Sequence, residues 1–172
     1  MKVNKCKLIL VKEKELDYEK LNSPDTIYDF LTEKLELHKE PEEVVVMLAL
    51  DNKNRLMSCC EISHGTLNSA MVSPRDVYKR ALVANAKSII IAHNHPTGSV
   101  TPSLEDKIIT SSLKEAGKVL DVKLLDHIIV GDKRYYSFYE ENPDLIFSEE
   151  CNKFYNQYEN EEKKINNTER SL

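Results

Sequence analysis

No apolar run in the chain approaches twenty residues, so nothing in it reads as a membrane-spanning helix. The first residues, Met1-Lys2-Val3-Asn4-Lys5-Cys6, lack the long apolar core of a signal peptide, and a cytoplasmic location is the expectation. No internal repeat and no low-complexity linker is present; 172 residues suffice for one sizeable core and fall short of two. Cysteine is scarce as well. The four (Cys6, Cys59, Cys60 and Cys151) include no C-x-x-C pair, which excludes a zinc-ribbon or redox signature. Adjacent Cys59 and Cys60 would face opposite sides of a strand, so reduced thiols are expected. Positive charge is in deficit: 24 Lys and Arg stand against 29 Asp and Glu, a net charge of −5. Such a surface does not favour nucleic acid, and nothing in the sequence demands a local basic patch.

What the sequence does contain is concentrated in one stretch, His93-Asn94-His95-Pro96-Thr97-Gly98-Ser99-Val100-Thr101-Pro102-Ser103-Leu104-Glu105-Asp106. It follows the apolar run Ser88–Ala92, which reads as a buried strand. Residues two apart on a strand share a face, so His93 and His95 point the same way. Pro96 and Gly98 end the strand. Thr101-Pro102 is expected to open a helix, the hydroxyl capping it and Pro taking the first helical position. Ser103 and Asp106 would then lie in the first turns, on one face. Two imidazoles and a carboxylate converging in this way make a three-ligand site for a divalent metal, most naturally Zn2+. Three protein ligands leave a fourth position open, as in a catalytic rather than a structural site. The plainer alternative treats the histidines as polar residues at a strand exit and Ser103 with Asp106 as a capping box.

Around this stretch the chain alternates. Lys7–Val11 is strand-like, and Ser23-Pro24 opens a helix with Ile27, Phe30, Leu31 and Leu35 on one stripe. Glu43–Leu50 is a strong strand, Asp51–Asn54 a turn, and Arg55–Ser63 its antiparallel partner. A short strand is expected through Ala70–Val72. Ser73-Pro74 opens a second helix with Val77, Ala81 and Leu82 inward. Leu104, Ile108, Ile109 and Leu113 are expected to form the buried face of the third helix, with Gly117 its terminator. Val122–Val130 reads as a strand and Arg134–Tyr139 as its hairpin mate. His127, on that strand, reads as a half-buried histidine with a local partner. The expected divisions are an N-terminal strand and helix packing on the core (1–40), the main domain (41–145), and a polar tail (146–172), a frayed helix or partly disordered. The fold class is α/β, a mixed β-sheet flanked by helices on both faces, with the metal at the end of a central strand.

Hydrolysis at such a centre needs a base. Glu105 points off the ligand face, so Glu43, opening a strand expected to neighbour the metal strand, is the better candidate; otherwise it is a solvated charge beside Glu42. Ser103 could donate to the oxyanion that develops on a carbonyl, or serve only as a cap.

His93-Asn94-His95-Pro96, then Thr101-Pro102-Ser103 and Asp106, resemble the JAMM motif of the MPN (JAB) metalloprotease domain. The bacterial RadC-like branch is the most similar. Glu43 with Asp51 eight residues on, Ser73-Pro74-Arg75-Asp76-Val77, and Leu125-Asp126-His127-Ile128-Ile129-Val130-Gly131 extend the resemblance over roughly Glu42 to Ser137. The resemblance implies that His93, His95 and Asp106 hold zinc, that Glu43 is the general acid/base, and that Ser103 steadies the intermediate. It also implies a fold similar to cytidine deaminases and a protein or peptide substrate cleaved at a peptide or isopeptide bond. Longer RadC proteins carry an N-terminal helix-hairpin-helix-like region associated with DNA. Here the four glycines (Gly65, Gly98, Gly117, Gly131) all follow Glu43, and such a hairpin is expected to be absent.

The leading expectation is therefore a zinc metallopeptidase or isopeptidase. The alternative is a non-enzymatic DNA-repair or recombination accessory of the RadC type, which net acidity and the missing hairpin disfavour. A nucleoside deaminase needs His-x-Glu with Pro-Cys-x-x-Cys, and neither is present.

Overall fold

The computed structural model describes Val3 and residues 10–18, 21–65 and 72–146. Five strands form one mixed sheet in the order β2-β1-β3-β4-β5. These are β1 (Glu43–Leu50), β2 (Leu56–Gly65), β3 (Ser88–Asn94), β4 (Lys123–Val130) and β5 (Tyr135–Ser137). β3, the run that ends in the motif, is central, antiparallel to β1 and parallel to β4. Every residue of β3 is buried, as are seven of the eight in β1 and in β4. Continuous burial without alternation means that both faces of these strands are covered, which explains their unbroken Val, Ile and Leu runs.

The first two helices start as their sequences dictate. Ser23 caps α1 (Pro24–Glu33) by accepting from the Thr26 N–H, and Ser73 caps α2 (Pro74–Val83) by accepting from the Asp76 N–H. Ile27, Phe30 and Leu31 of α1 enter the core, and Leu35, just past the helix, packs against it. On the far side of the sheet, α3 (Leu104–Leu120) lies over the face that carries His93 and His127. The opposite face receives α1, where Tyr135 meets Tyr28 with ring centroids 5.3 Å apart and donates its hydroxyl to Asp25 at 3.0 Å. Two short helices, α4 (Phe138–Glu141) and α5 (Pro143–Ile146), complete the described chain. Among the described residues no helix is long and apolar enough to cross a membrane.

Several expectations are corrected. α3 begins at Leu104, not at Pro102, because Ser103 rather than Thr101 is the cap. Ser103 and Asp106 close a reciprocal capping box, each side chain bonded to the other's backbone N–H, and one-sided capping by Thr101 cannot compete. The inward face of α3 is Asp106, Thr110, Leu113 and Gly117, while Leu104 and Ile108 are 67% and 57% exposed. Those two leucine-type positions lie two residues either side of Asp106, about 200° round the helix, so turning Asp106 inward turns both outward.

Gly117 does not end α3. It sits one turn before the left-handed cap Asp121, where an added Cβ would come within 2.5 Å of both the Tyr78 hydroxyl and the Val122 carbonyl. Leu82 is exposed on α2, not inward. The mate of β4 is three residues long, because Ser137 caps α4 and draws Phe138 and Tyr139 into a helix. The expected strand at Lys7–Val11 falls mainly outside the described residues, and Leu10 and Val11 are not in a strand. Ala70 and Met71 likewise lie outside them, and Val72 is not in a strand. So does the tail beyond Ile146.

Candidate metal centre

β3 delivers His93 as its penultimate residue, 2% exposed, and His95 just beyond its end. A tight turn follows, with the Gly98 N–H donating to the His95 carbonyl at 2.8 Å and Gly98 at φ +72°, which suits glycine. The chain then reaches α3, whose first turn returns Asp106 to the same place. His93 Nε2 lies 3.0 Å from His95 Nε2 and 3.2 Å from Asp106 Oδ1, and His95 Nε2 lies 3.5 Å from Asp106 Oδ2. One donor atom from each residue fits within a 4.8 Å span.

These separations test whether a cation fits. A tetrahedral ion with bonds of about 2.0–2.1 Å sets its ligand atoms about 3.3 Å apart. The His93–His95 and His93–Asp106 Oδ1 separations lie close to that value, and all three residues bring one donor atom within 4.8 Å of the others. Two nitrogens and a carboxylate oxygen form the donor set expected for a borderline divalent ion.

Electrostatics within the cluster is strongly coupled. Burial alone would push the Asp106 carboxyl up, but its contacts with His93, His95 and Ser103 outweigh it and hold the group well below the usual carboxylate range. His95 is raised above an ordinary histidine, chiefly by its hydrogen bond to Asp106; burial opposes this, while the Ser99 carbonyl and the charge of Glu43 add to it. Its Nδ1 lies 2.8 Å from the Ser99 carbonyl oxygen, an acceptor only, so Nδ1 carries a proton.

The pairing Val45↔His93 places Glu43, two residues earlier on β1, on the face to which His93 points. The site is thus flanked by a half-buried carboxylate that sequence distance alone does not reveal. Its backbone is pinned by Asn94, the residue between the two histidines. The Asn94 amide accepts from the Val44 N–H at 2.8 Å and donates to the Glu42 and Glu40 carbonyls at 2.9 and 3.1 Å. Ser103 is exposed at the rim, where its hydroxyl donates to Asp106 Oδ2 at 2.7 Å and accepts from the Asp106 N–H at 3.0 Å. The capping box and the ligand arrangement are therefore the same piece of structure rather than rivals.

His127 departs most from expectation. It is 1% exposed rather than half-buried; its backbone N–H has the expected local partner, Asp126 Oδ1 at 2.7 Å, but its ring partners are distant in sequence, His93 Nδ1 at 2.8 Å and Thr110 Oγ1 at 2.6 Å. Phe138 stacks on its ring at 5.0 Å. Burial, then the neighbouring His93, drives its pKa well below that of an ordinary histidine. Thr110 carried no sequence signal, since a threonine inside a helix reads as surface.

The model of the RadC-like JAB domain matches residues 21–143, most of the chain. The chain belongs to that family. Relatives named UPF0758 protein agree: one from Janthinobacterium sp. (strain Marseille) is 48% identical over 120 residues, 70% of this chain and 53% of the relative. One from Clostridium perfringens (strain 13 / Type A) is 41% identical over 131 residues, 76% and 57% of the two chains. One from Pseudoalteromonas translucida (strain TAC 125) is 47% identical over 119 residues, 69% and 52%. The chain thus spans about half the length of the curated relatives it matches. The mixed α/β sheet is the architecture this family membership calls for.

Proposed function

We propose that this JAB domain is a zinc-dependent peptidase or isopeptidase acting on a protein or peptide. The observation that carries the proposal is the convergence of one donor atom each from His93, His95 and Asp106 within 4.8 Å, with Glu43 on the same face. His93, His95 and Asp106 would hold the ion and leave one position open. Zinc bound there would supply a water acidic enough to act as a nucleophile near neutral pH.

The remaining work falls to the chain. Glu43 takes the proton from the attacking water and passes it to the leaving nitrogen as the C–N bond breaks, so the carboxylate is regenerated. Ser103 is the candidate donor to the oxyanion, and to serve it must release the hydrogen bond it gives to Asp106 Oδ2. Asp106 keeps its second donor from Ser103, the backbone N–H at 2.7 Å, so that release does not leave the oxygen bare.

The test is elemental mass spectrometry on the purified chain beside Glu43→Gln, followed by a panel of peptide and isopeptide substrates. One zinc per chain in both, with hydrolysis only in the parent, supports the proposal. Undiminished turnover in Glu43→Gln removes Glu43 as the base. A chain that refuses added zinc ends the hydrolase reading, and a DNA mobility shift at physiological salt would then favour the accessory role.

A further inference from the structure

Buried beneath the proposed ligands, a series of hydrogen bonds runs from the Asp106 carbonyl through Thr110 and His127 to His93. Its direction can be read from one atom. The Thr110 hydroxyl lies 2.5 Å from the Asp106 carbonyl oxygen, which has no proton to give, so the single hydroxyl hydrogen lies on that line. The Thr110 oxygen then faces His127 Nδ1 at 2.6 Å with only lone pairs, and His127 Nδ1 must carry a proton. A neutral imidazole has one N–H, which leaves His127 Nε2 as an acceptor. His93 Nδ1, 2.8 Å away, must therefore be the donor. The proton of His93 is thereby committed to Nδ1, and its Nε2 presents a lone pair toward His95 and Asp106 Oδ1.

We propose that His127 and Thr110 are positioning residues that lock His93 in the tautomer protonated at Nδ1, keeping Nε2 free for a metal. This deepens the proposed function and rests on it for the identity of the ion. Neither residue touches the metal position, so neither is catalytic. Nor does this series conduct protons: Thr110 and His127 are 0% and 1% exposed, and it ends on the backbone carbonyl of Asp106. The scheme takes the buried His127 ring as neutral, because a cationic ring would aim an N–H at His93 and drive its proton to Nε2. Phe138 stacked on one side of the ring holds it in plane for both bonds. Outer partners of this kind fix both orientation and tautomer of a ligating histidine.

Two substitutions separate this role from packing. Thr110→Val keeps the shape and removes the acceptor; Thr110→Ser keeps the hydroxyl and removes a methyl. Losing its acceptor, His127 shifts its proton to Nε2 and forces the His93 proton onto the metal-facing nitrogen. Nitrogen-15 NMR of histidine tautomers in the metal-free chain should show His93 and His127 protonated at Nδ1 in the parent and in Thr110→Ser. In Thr110→Val both should be protonated at Nε2. Zinc competition titrations should show Thr110→Val binding about 10- to 100-fold more weakly, with Thr110→Ser near the parent. His93 protonated at Nε2 in the parent overturns the proposal, as does Thr110→Val binding zinc as tightly as the parent. A loss in Thr110→Ser equal to that in Thr110→Val assigns Thr110 to packing and also overturns it. Should the parent bind no zinc, the hydrolase reading fails, while the metal-free spectra still decide the tautomer.

Discussion

The inward face of α3 has two halves that differ in kind. Asp106 and Thr110 meet three histidines and a capping serine, whereas Leu113 and Gly117 meet Tyr78, whose hydroxyl donates to the Leu113 carbonyl at 2.7 Å. Both halves belong to the same helix, the first facing the sheet and the second facing Tyr78 of α2. In the first, buried polar groups are satisfied by one another, each bond depending on the next. In the second, close approach of backbone and ring does the holding, and no side chain there has chemistry to offer. Substitutions in the first half should therefore alter metal binding more than stability, and in the second half the reverse.

Asp106→Asn carries the largest expected effect. It removes a ligand, so zinc affinity should fall by more than the roughly 100-fold ceiling for an outer partner, with the circular dichroism spectrum retained. Full stoichiometric zinc by elemental analysis would take Asp106 out of the ligand set and erase the contrast. Gly117→Ala probes the other half. Overpacking against Tyr78 and the Val122 carbonyl should cost about 1–3 kcal/mol, more than the helix gain of about 1 kcal/mol, so Tm falls while zinc affinity holds. An unchanged Tm would show that α3 can shift there.

Acidity sharpens the comparison within the first half, because its histidines are perturbed in opposite directions. His127, lowered, contributes stability that is present above about pH 6.5 and lost as pH falls toward its folded value. His95, raised, contributes stability that is present below about pH 6.5 and lost as pH rises through its folded value. In the metal-free chain, each slope is at most about 1.4 kcal/mol per pH unit. Urea midpoints should show the gap between parent and His127→Leu shrinking toward pH 5, and that between parent and His95→Ala shrinking toward pH 8. Parallel curves would place both rings outside the coupled cluster. Ser103→Ala is the smallest change: loss of the cap should cost about 1 kcal/mol in Tm-derived stability, with zinc retained. Loss of zinc instead would make the capping hydroxyl part of what holds Asp106 in place.

The same division explains what the sequence disclosed. The strands through Val44–Leu50 and Ser88–Ala92 were legible because burial on both faces demands unbroken apolar runs. The convergence of His93, His95 and Asp106 was legible because a strand repeat and a helix start fix their relative directions. The face of α3 was half legible: Leu113 is buried and Ile109 packs on the core, but apolar periodicity also selects Leu104 and Ile108, whereas polar Asp106 and Thr110 are the residues pulled inside. For His127 only the local bond to Asp126 is encoded nearby; its ring partners come from two other elements, and no spacing encodes that meeting. The proximity of Glu43 to His93 follows from strand register, a property of the assembled sheet.

Asn94 gives that register a safeguard. A slip of one residue between β1 and β3 would send every side chain of β1 to the opposite face, Glu43 included. The β1–β2 ladder offers little protection, since it already carries an irregularity between Val45 and Val46. The buried amide of Asn94 can satisfy its three bonds only when Glu40, Glu42 and Val44 stand where they do. A misaligned sheet would leave it unpaired at a cost of about 1–3 kcal/mol. Asn94 thus proofreads the assembly: a chain that folds with β1 out of step is penalised by the residue lying between the two histidines of its own candidate metal site.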